Sequence, residues 1–169
     1  MIRVVGSGEA PLAAVRALMD AAFGDRFTDD DWDHTVGGTH VLWEEDGAVV
    51  AHASVVARRI EVGDRILRCG YVEGVATVPH RQGEGLGSAV MAVVNGVVRE
   101  GFELGMLSTS RTSFYERLGW QRWQGPSYVR RAGGVERTED EDDGLLALPV
   151  IEVDVTLPIT CEERAGDDW

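Results

Sequence analysis

Gln82-Gly83-Glu84-Gly85-Leu86-Gly87 sets three glycines on alternate positions at the head of an apolar run. Leu86, Val90, Met91, Val93, Val94 and Val97 repeat there at helical spacing and cover much of the girth, which predicts a helix buried on more than one side. Residues without side chains let backbone N–H groups crowd toward one point. A helix beginning there adds the positive end of its dipole, so the turn suits a pyrophosphate. The same spacing also suits a tight turn with close helix packing, and both readings stand at this level. The dinucleotide pattern G-x-G-x-x-G fits poorly, because these glycines alternate and follow what reads as an antiparallel meander.

Working outward, Ile66 to Val78 reads as the strand before the turn, and Ala48 to Val62 as the strand before that, after the hairpin signal Glu45-Asp46-Gly47. His40 to Glu44 pairs naturally across that hairpin. Further upstream, Ile2 to Val5 is a short strand, and Pro11 opens a helix with Leu12, Val15, Leu18, Met19 and Ala22 on one face. Thr28 is a candidate N-cap for a second helix, with Asp29 to Asp31 in its first turn and Gly37-Gly38 at its end. Downstream, Leu104 to Ser108 is a short apolar strand, so strand, glycine turn, helix and strand make a βαβ unit. Thr112 to Leu118 reads as a short helix stopped at Gly119, Glu136 to Asp143 as a loop, and Leu145 to Leu157 as a late strand. The expectation is one α+β domain over residues 1–169, a mixed, mostly antiparallel sheet flanked by helices.

Composition narrows the function. The 16 cationic residues are all arginine, against 29 acids, for a formal net charge of −13. So acidic a chain repels phosphate backbones, and nucleic acid is not an expected partner. No apolar run approaches the roughly 18 residues of a membrane span, and the first residues lack the apolar core of a signal peptide. Two cysteines, Cys69 and Cys161, fit free thiols in a reducing cytoplasm. No spacing suggests a metal site. The acids concentrate in Asp25–Asp33, Glu136–Asp143 and Glu162–Trp169. Such runs are solvated surface in the plain reading, and a site for a polycation if they converge. A carboxylate about 4 Å from an ammonium gains roughly 1 kcal/mol in water and roughly 4 at an effective dielectric of 20.

Three motifs in order carry a resemblance. Gln82–Gly87 is similar to the Q/R-x-x-G-x-G/A loop of the GNAT acetyltransferases, Tyr71 to Val78 to the strand before it, and Phe114-Tyr115-Glu116-Arg117-Leu118-Gly119-Trp120 to their later aromatic motif. Gly70 to Ala76, Asp31 to Gly38, Gly125-Pro126, the Asp-rich segment before Gly144 and Arg164 to Trp169 resemble aminoglycoside 2′-N-acetyltransferases more narrowly. That resemblance implies a GNAT fold, acetyl-CoA as cofactor, a cationic aminoglycoside as substrate and, as is frequent among such enzymes, a homodimer. The chain departs from members that lack the second and third loop glycines.

The resemblance also implies roles. Gln82, Gly83, Glu84, Gly85, Gly87 and Ser88 would bind the pyrophosphate; the Val75 N–H would meet the thioester oxygen and the Thr77 N–H the pantetheine arm. Glu73 would be the general base, through water, and Tyr115 the general acid for the departing thiolate. Asp31, Glu73, Gly74, Ser108, Asp142, Asp167 and the Trp169 carboxylate would hold the substrate, with Asp143 as the alternative to Asp142. From the residues alone, Glu73 could equally be a solvent-facing strand residue and Tyr115 a packed aromatic. Other amines, such as a polyamine, a biosynthetic amino sugar or a protein N-terminus, remain open, as does a non-catalytic acyl-CoA or drug-binding module.

Overall fold

The computed structural model describes all of residues 1–169. The chain gathers into two compact units, Met1–Val56 with Val72–Val97, and Ala57–Tyr71 with Val98–Trp169. It passes from one to the other within β3 (Ala48–Val62), β4 (Arg65–Thr77) and α3 (Leu86–Gly101).

The first unit also holds β1 (Ile2–Gly6), α1 (Leu12–Phe23), α2 (Asp29–Val36) and β2 (Thr39–Glu45). β1 runs antiparallel to β2, and β2 antiparallel to β3. Asp46 and Gly47 join β2 to β3 with φ of 48° and 80°, the two left-handed residues that a type I′ hairpin turn requires. A register shift between Trp43 and Glu44 then moves the whole outer part of the hairpin by one residue. α1 buries Val15, Leu18 and Met19 with Val5, Leu42, Val49 and Ala76, the stripe that its periodicity predicts. α2 starts with a capping box: Thr28 Oγ1 accepts from the Asp31 N–H and the Asp31 carboxylate accepts from the Thr28 N–H. A cap of this kind is worth about 1 kcal/mol.

The second unit adds β5 (Leu104–Ser108), α4 (Thr112–Glu116), β6 (Gln121–Arg122), β7 (Ser127–Arg131), β8 (Gly134–Arg137), β9 (Leu145–Pro149) and β10 (Ile159–Glu162). Its strands lie in the order β6-β9-β5-β4-β3-β10-β7-β8. β4 pairs with β5 in parallel, so β4, α3 and β5 are the expected βαβ unit. β10 is parallel to β7, while β5–β9, β6–β9, β7–β8 and β3–β10 are antiparallel. The sheet is mixed and mostly antiparallel, as expected. Its core includes Ile60, Leu67, Tyr71, Leu104, Met106, Leu145, Ile159 and Trp169. Cys69 and Cys161 are free and fully buried there.

Three expectations are corrected. The late strand does not run from Leu145 to Leu157: β9 stops at Pro149, Ile151, Val153 and Val155 pack on the core without strand pairing, and β10 begins after Pro158. Proline has no N–H to give a ladder, which explains both breaks. The segment Glu136 to Asp143 is not a loop, because Glu136 and Arg137 end β8 and Glu139–Gly144 is a 3-10 helix. α4 stops at Glu116, where the Leu118 N–H turns to the Tyr115 carbonyl, and Gly119 follows at φ 96°.

Candidate active site

The first unit carries the strand and turn that the motifs single out. Gly83 and Gly85 lie at φ 84° and 85°, so glycine is required there by backbone conformation, and a Cβ at either would meet nothing within 4 Å. The Ala89 N–H donates to the Gly85 carbonyl. The amides of Leu86, Gly87 and Ser88, one turn earlier, are the donors a helix leaves without partners of its own. This open, donor-rich turn fits a pyrophosphate. Gln82 Nε2 donates to the Thr77 carbonyl at 3.2 Å and so ties the turn to the end of β4. Arg81 bridges Glu84 and Glu45, each at 2.6 Å. The Glu84 side chain is thus committed to an arginine, and what Glu84 can offer a phosphate is its backbone.

Glu73 is half-buried on β4. Its neighbour Gly74 has φ 58°, and a Cβ there would lie 2.7 Å from Thr35 Cγ2 and 3.4 Å from His52 Cε1. Only glycine fits beneath α2. The carbonyls on both sides of that kink are held from β3: Ser54 Oγ donates to the Glu73 carbonyl at 3.4 Å, and His52 Nδ1 lies 2.6 Å from the Gly74 carbonyl. Val75 and Thr77 follow on the same strand, half-buried. Asp31 sits on α2, with Oδ2 accepting from the Thr28 N–H at 2.8 Å. The capping box gives Asp31 a structural duty that a substrate contact would have to share.

The second unit carries the remaining candidates, and here two acidic segments meet. Ser108 Oγ lies 3.4 Å from Glu141 Oε2. Burial pushes the Glu141 carboxyl up, and the charge of Asp167 pushes it further. Glu141 was not singled out by the sequence; in a run of acids nothing marks which one turns inward. Asp142 has the opposite fate. Its Oδ1 accepts from Ser127 Oγ at 2.7 Å, from the Ser127 N–H at 3.1 Å and from Arg137 Nη1 at 2.9 Å, and its Oδ2 is bound to Arg137 Nη2. The Arg137 guanidinium holds its carboxyl below the usual carboxylate range. Asp143 is exposed.

The last residues are packed down. Trp169 is buried and its indole N–H donates to Thr138 Oγ1 at 3.1 Å. Asp168 anchors the turn through Arg131 at 2.7 Å and the Arg164 N–H at 3.2 Å, which leaves Asp167 exposed beside Glu141. Tyr115 is buried, edge-on to Phe114 at 4.8 Å, and burial pushes its hydroxyl up to about 12. It therefore keeps its proton at neutral pH. The thiols of Cys69 and Cys161 are pushed up by burial to about 12 and about 11, which removes both as nucleophiles. No group of acids, histidines and cysteines could hold a metal ion, and no helix is long and apolar enough to cross a membrane.

Comparison with known proteins identifies the family. Residues 5–123 match the acetyltransferase (GNAT) domain family. An aminoglycoside 2′-N-acetyltransferase from Mycolicibacterium fortuitum is 46% identical over 163 residues, covering 92% of this chain and 83% of that protein. Among solved structures, the GNAT family N-acetyltransferase YhbS from Escherichia coli, in complex with CoA, superposes with a TM-score of 0.67 at 16% identity, covering 98% of this chain and 93% of that one. A GNAT family acetyltransferase from Brucella melitensis, in complex with acetyl-CoA, gives 0.64 at 17% identity with 94% of both chains covered. The chain spans about a third of the length of larger solved proteins it also matches, among them a GCN5-related N-acetyltransferase from Kribbella flavida. With the family domain over most of its length and a close relative over nearly all of it, the chain belongs to the GNAT acetyltransferase family.

Proposed function

We propose that this N-acetyltransferase, with acetyl-CoA as its cofactor, acetylates the 2′ amine of an aminoglycoside, and that residues 1–169 work as one domain in the cytoplasm. The observation that carries the substrate is the 46% identity to a protein named for that reaction. The acidic side chains of Glu141 and Asp167 support it, since a cationic sugar needs carboxylates that no arginine has already claimed.

Acetyl-CoA supplies the acetyl group as a thioester, activated for direct transfer to an amine. Gly83, Gly85, Gly87 and Ser88 would hold its pyrophosphate on the first turn of α3, beside Gln82 and the Glu84 backbone. The Thr77 N–H would take the pantetheine arm, and the Val75 N–H would face the oxygen on which negative charge develops. An alkyl ammonium has to lose a proton before it can attack, and Glu73 would accept it, directly or through water. Tyr115, protonated at neutral pH, would give its proton to the leaving sulfur. Asp31, Gly74, Ser108, Asp167 and Trp169 would line the substrate. Glu141 takes the place expected of Asp142, whose oxygens serve Arg137 and Ser127.

The test is release of CoA thiol with aminoglycosides that carry or lack a 2′ amine, alongside a linear polyamine, with the acetylated position read by NMR. Turnover confined to 2′-amino compounds is expected. Turnover with the polyamine alone, or tight drug binding without thiol release, would replace this reading with one of the alternatives.

A further inference from the structure

Two buried histidines lie behind the strand that bears Glu73. His40 on β2 and His52 on β3 are both fully buried. Their facing nitrogens, His40 Nδ1 and His52 Nε2, are 2.9 Å apart. Each outer nitrogen meets a carbonyl: His40 Nε2 lies 3.1 Å from the Val36 oxygen, and His52 Nδ1 lies 2.6 Å from the Gly74 oxygen. A carbonyl accepts and never donates, so both outer nitrogens must carry protons. If each ring held only that proton, two bare lone pairs would face each other at hydrogen-bond distance. The three contacts together therefore require three protons on two rings, one more than two neutral imidazoles possess.

We infer that His40 and His52 form a buried proton-holding pair that carries one shared proton and, through the Gly74 carbonyl, positions Glu73. Two carbonyl dipoles favour one such charge against the cost of burying it. Val36 is the last residue of α2, so its carbonyl belongs to the negative end of that helix, and the Gly74 carbonyl adds a second negative dipole at the other end. The charge that bears on His52 is that of His40; along the chain, Asp33 and His34 on α2 come shortly before Val36, and Glu73 on β4 immediately precedes Gly74. Burial opposes charge on either ring, the Val36 and Gly74 carbonyls favour it, and a charge on one ring opposes charge on the other, so the two rings titrate as a unit in two widely separated steps. The result is a continuous link from the end of α2 to the kink after Glu73. His52 is a positioning residue here and touches no substrate. This second half of the inference rests on the proposed role of Glu73, whereas the proton count does not.

Two measurements test it on the full chain. Nitrogen–proton NMR of the unmodified protein, from pH 5 to 9, is expected to show three protonated nitrogens across His40 and His52 at neutral pH. Two protonated nitrogens, with two bare ones, overturn the shared proton whatever any variant does. For positioning, His52→Leu is expected to lower kcat by at least about tenfold, as small displacements of a reacting group do, with little change in KM for acetyl-CoA. His52→Gln, which keeps a donor toward Gly74, is expected to restore most of that loss. Unchanged kcat and pH profile in a folded His52→Leu overturn the positioning role; if the leucine variant does not fold, the glutamine variant alone decides, with a shifted pH profile supporting the role and an unaltered one refuting it. Glu73→Gln run in parallel separates the two ideas: full turnover there removes Glu73 as base while leaving the three-proton count intact.

Discussion

The turn at Gln82–Gly87 and the acidic segment at Glu139–Gly144 offer their chemistry in opposite ways. In the first, the donors are backbone amides, placed by two left-handed glycines and a helix start. In the second they are carboxylates, and their neighbours decide which of them can act. Arg137 takes Asp142, burial beside Asp167 raises the Glu141 carboxyl, and Asp143 is left in solvent. Function carried by the backbone is fixed by spacing. Function carried by side chains depends on partners that lie far along the chain.

The sharpest way to break this contrast is at Glu73, the side chain proposed above as the base. Glu73→Gln is expected to lower kcat by about 10²–10⁴-fold with CoA affinity unchanged, measured by steady-state kinetics and calorimetry. Equal losses in both would mean that the strand, not the carboxylate, had been damaged. The next effect is in acid. His52 is pushed down to about 4, from an ordinary value near 6.5, first by burial. That low step is the pair's second proton: between pH 6.5 and 4 the unfolded chain holds a proton on each histidine and the folded pair one between them, so stability drains away as the pH falls through that range, by on the order of 3 kcal/mol. Urea midpoints across that range are expected to fall, less so in a folded His52→Gln variant.

The backbone half of the contrast is tested by Gly85→Ala. The new methyl meets no atom, so the strain is purely one of φ, and CoA affinity is expected to drop about tenfold with a stability loss of about 1 kcal/mol. The smallest and most discriminating effects come from the neighbouring acids. Asp142→Asn is expected to cost about 1–2 kcal/mol of stability, discounted for partial exposure, and to leave KM for the aminoglycoside unchanged. Glu141→Gln is expected to do the reverse, raising that KM several-fold with thermal midpoint unmoved. A swap of these outcomes would restore Asp142 as the substrate contact. Because the Glu141 carboxyl is raised, its contribution to binding a cation should also begin to fail, as pH falls, before that of an ordinary carboxylate.

The histidine pair shows why some of this was legible and some was not. Asp46-Gly47 announces the hairpin, and a regular two-residue hairpin would pair Glu45 with Ala48 and place His40 and His52 on opposite faces. The shift between Trp43 and Glu44 moves the register so that His40 faces Ser54 and Leu42 faces His52, which brings both imidazoles to one side. Nothing local in Trp43-Glu44 requires that bulge. The N-cap at Thr28, the βαβ unit and the glycine turn were readable because each is satisfied by neighbours in sequence. β7, β8 and β10 were not, because Ser127–Arg131 gains its identity from Ile159–Glu162, some thirty residues later. Glu141 escaped for the same reason: its surroundings come from Ser108 and Asp167.

The two sealed cysteines give the bench a convenience. Cys69 and Cys161 have no exposed surface and resist ionisation, so a thiol-reactive dye added to the native enzyme should colour with liberated CoA and with nothing else. Under denaturant the same dye becomes a clock for unfolding, as two further equivalents of colour appear only when the sheet that hides them comes apart.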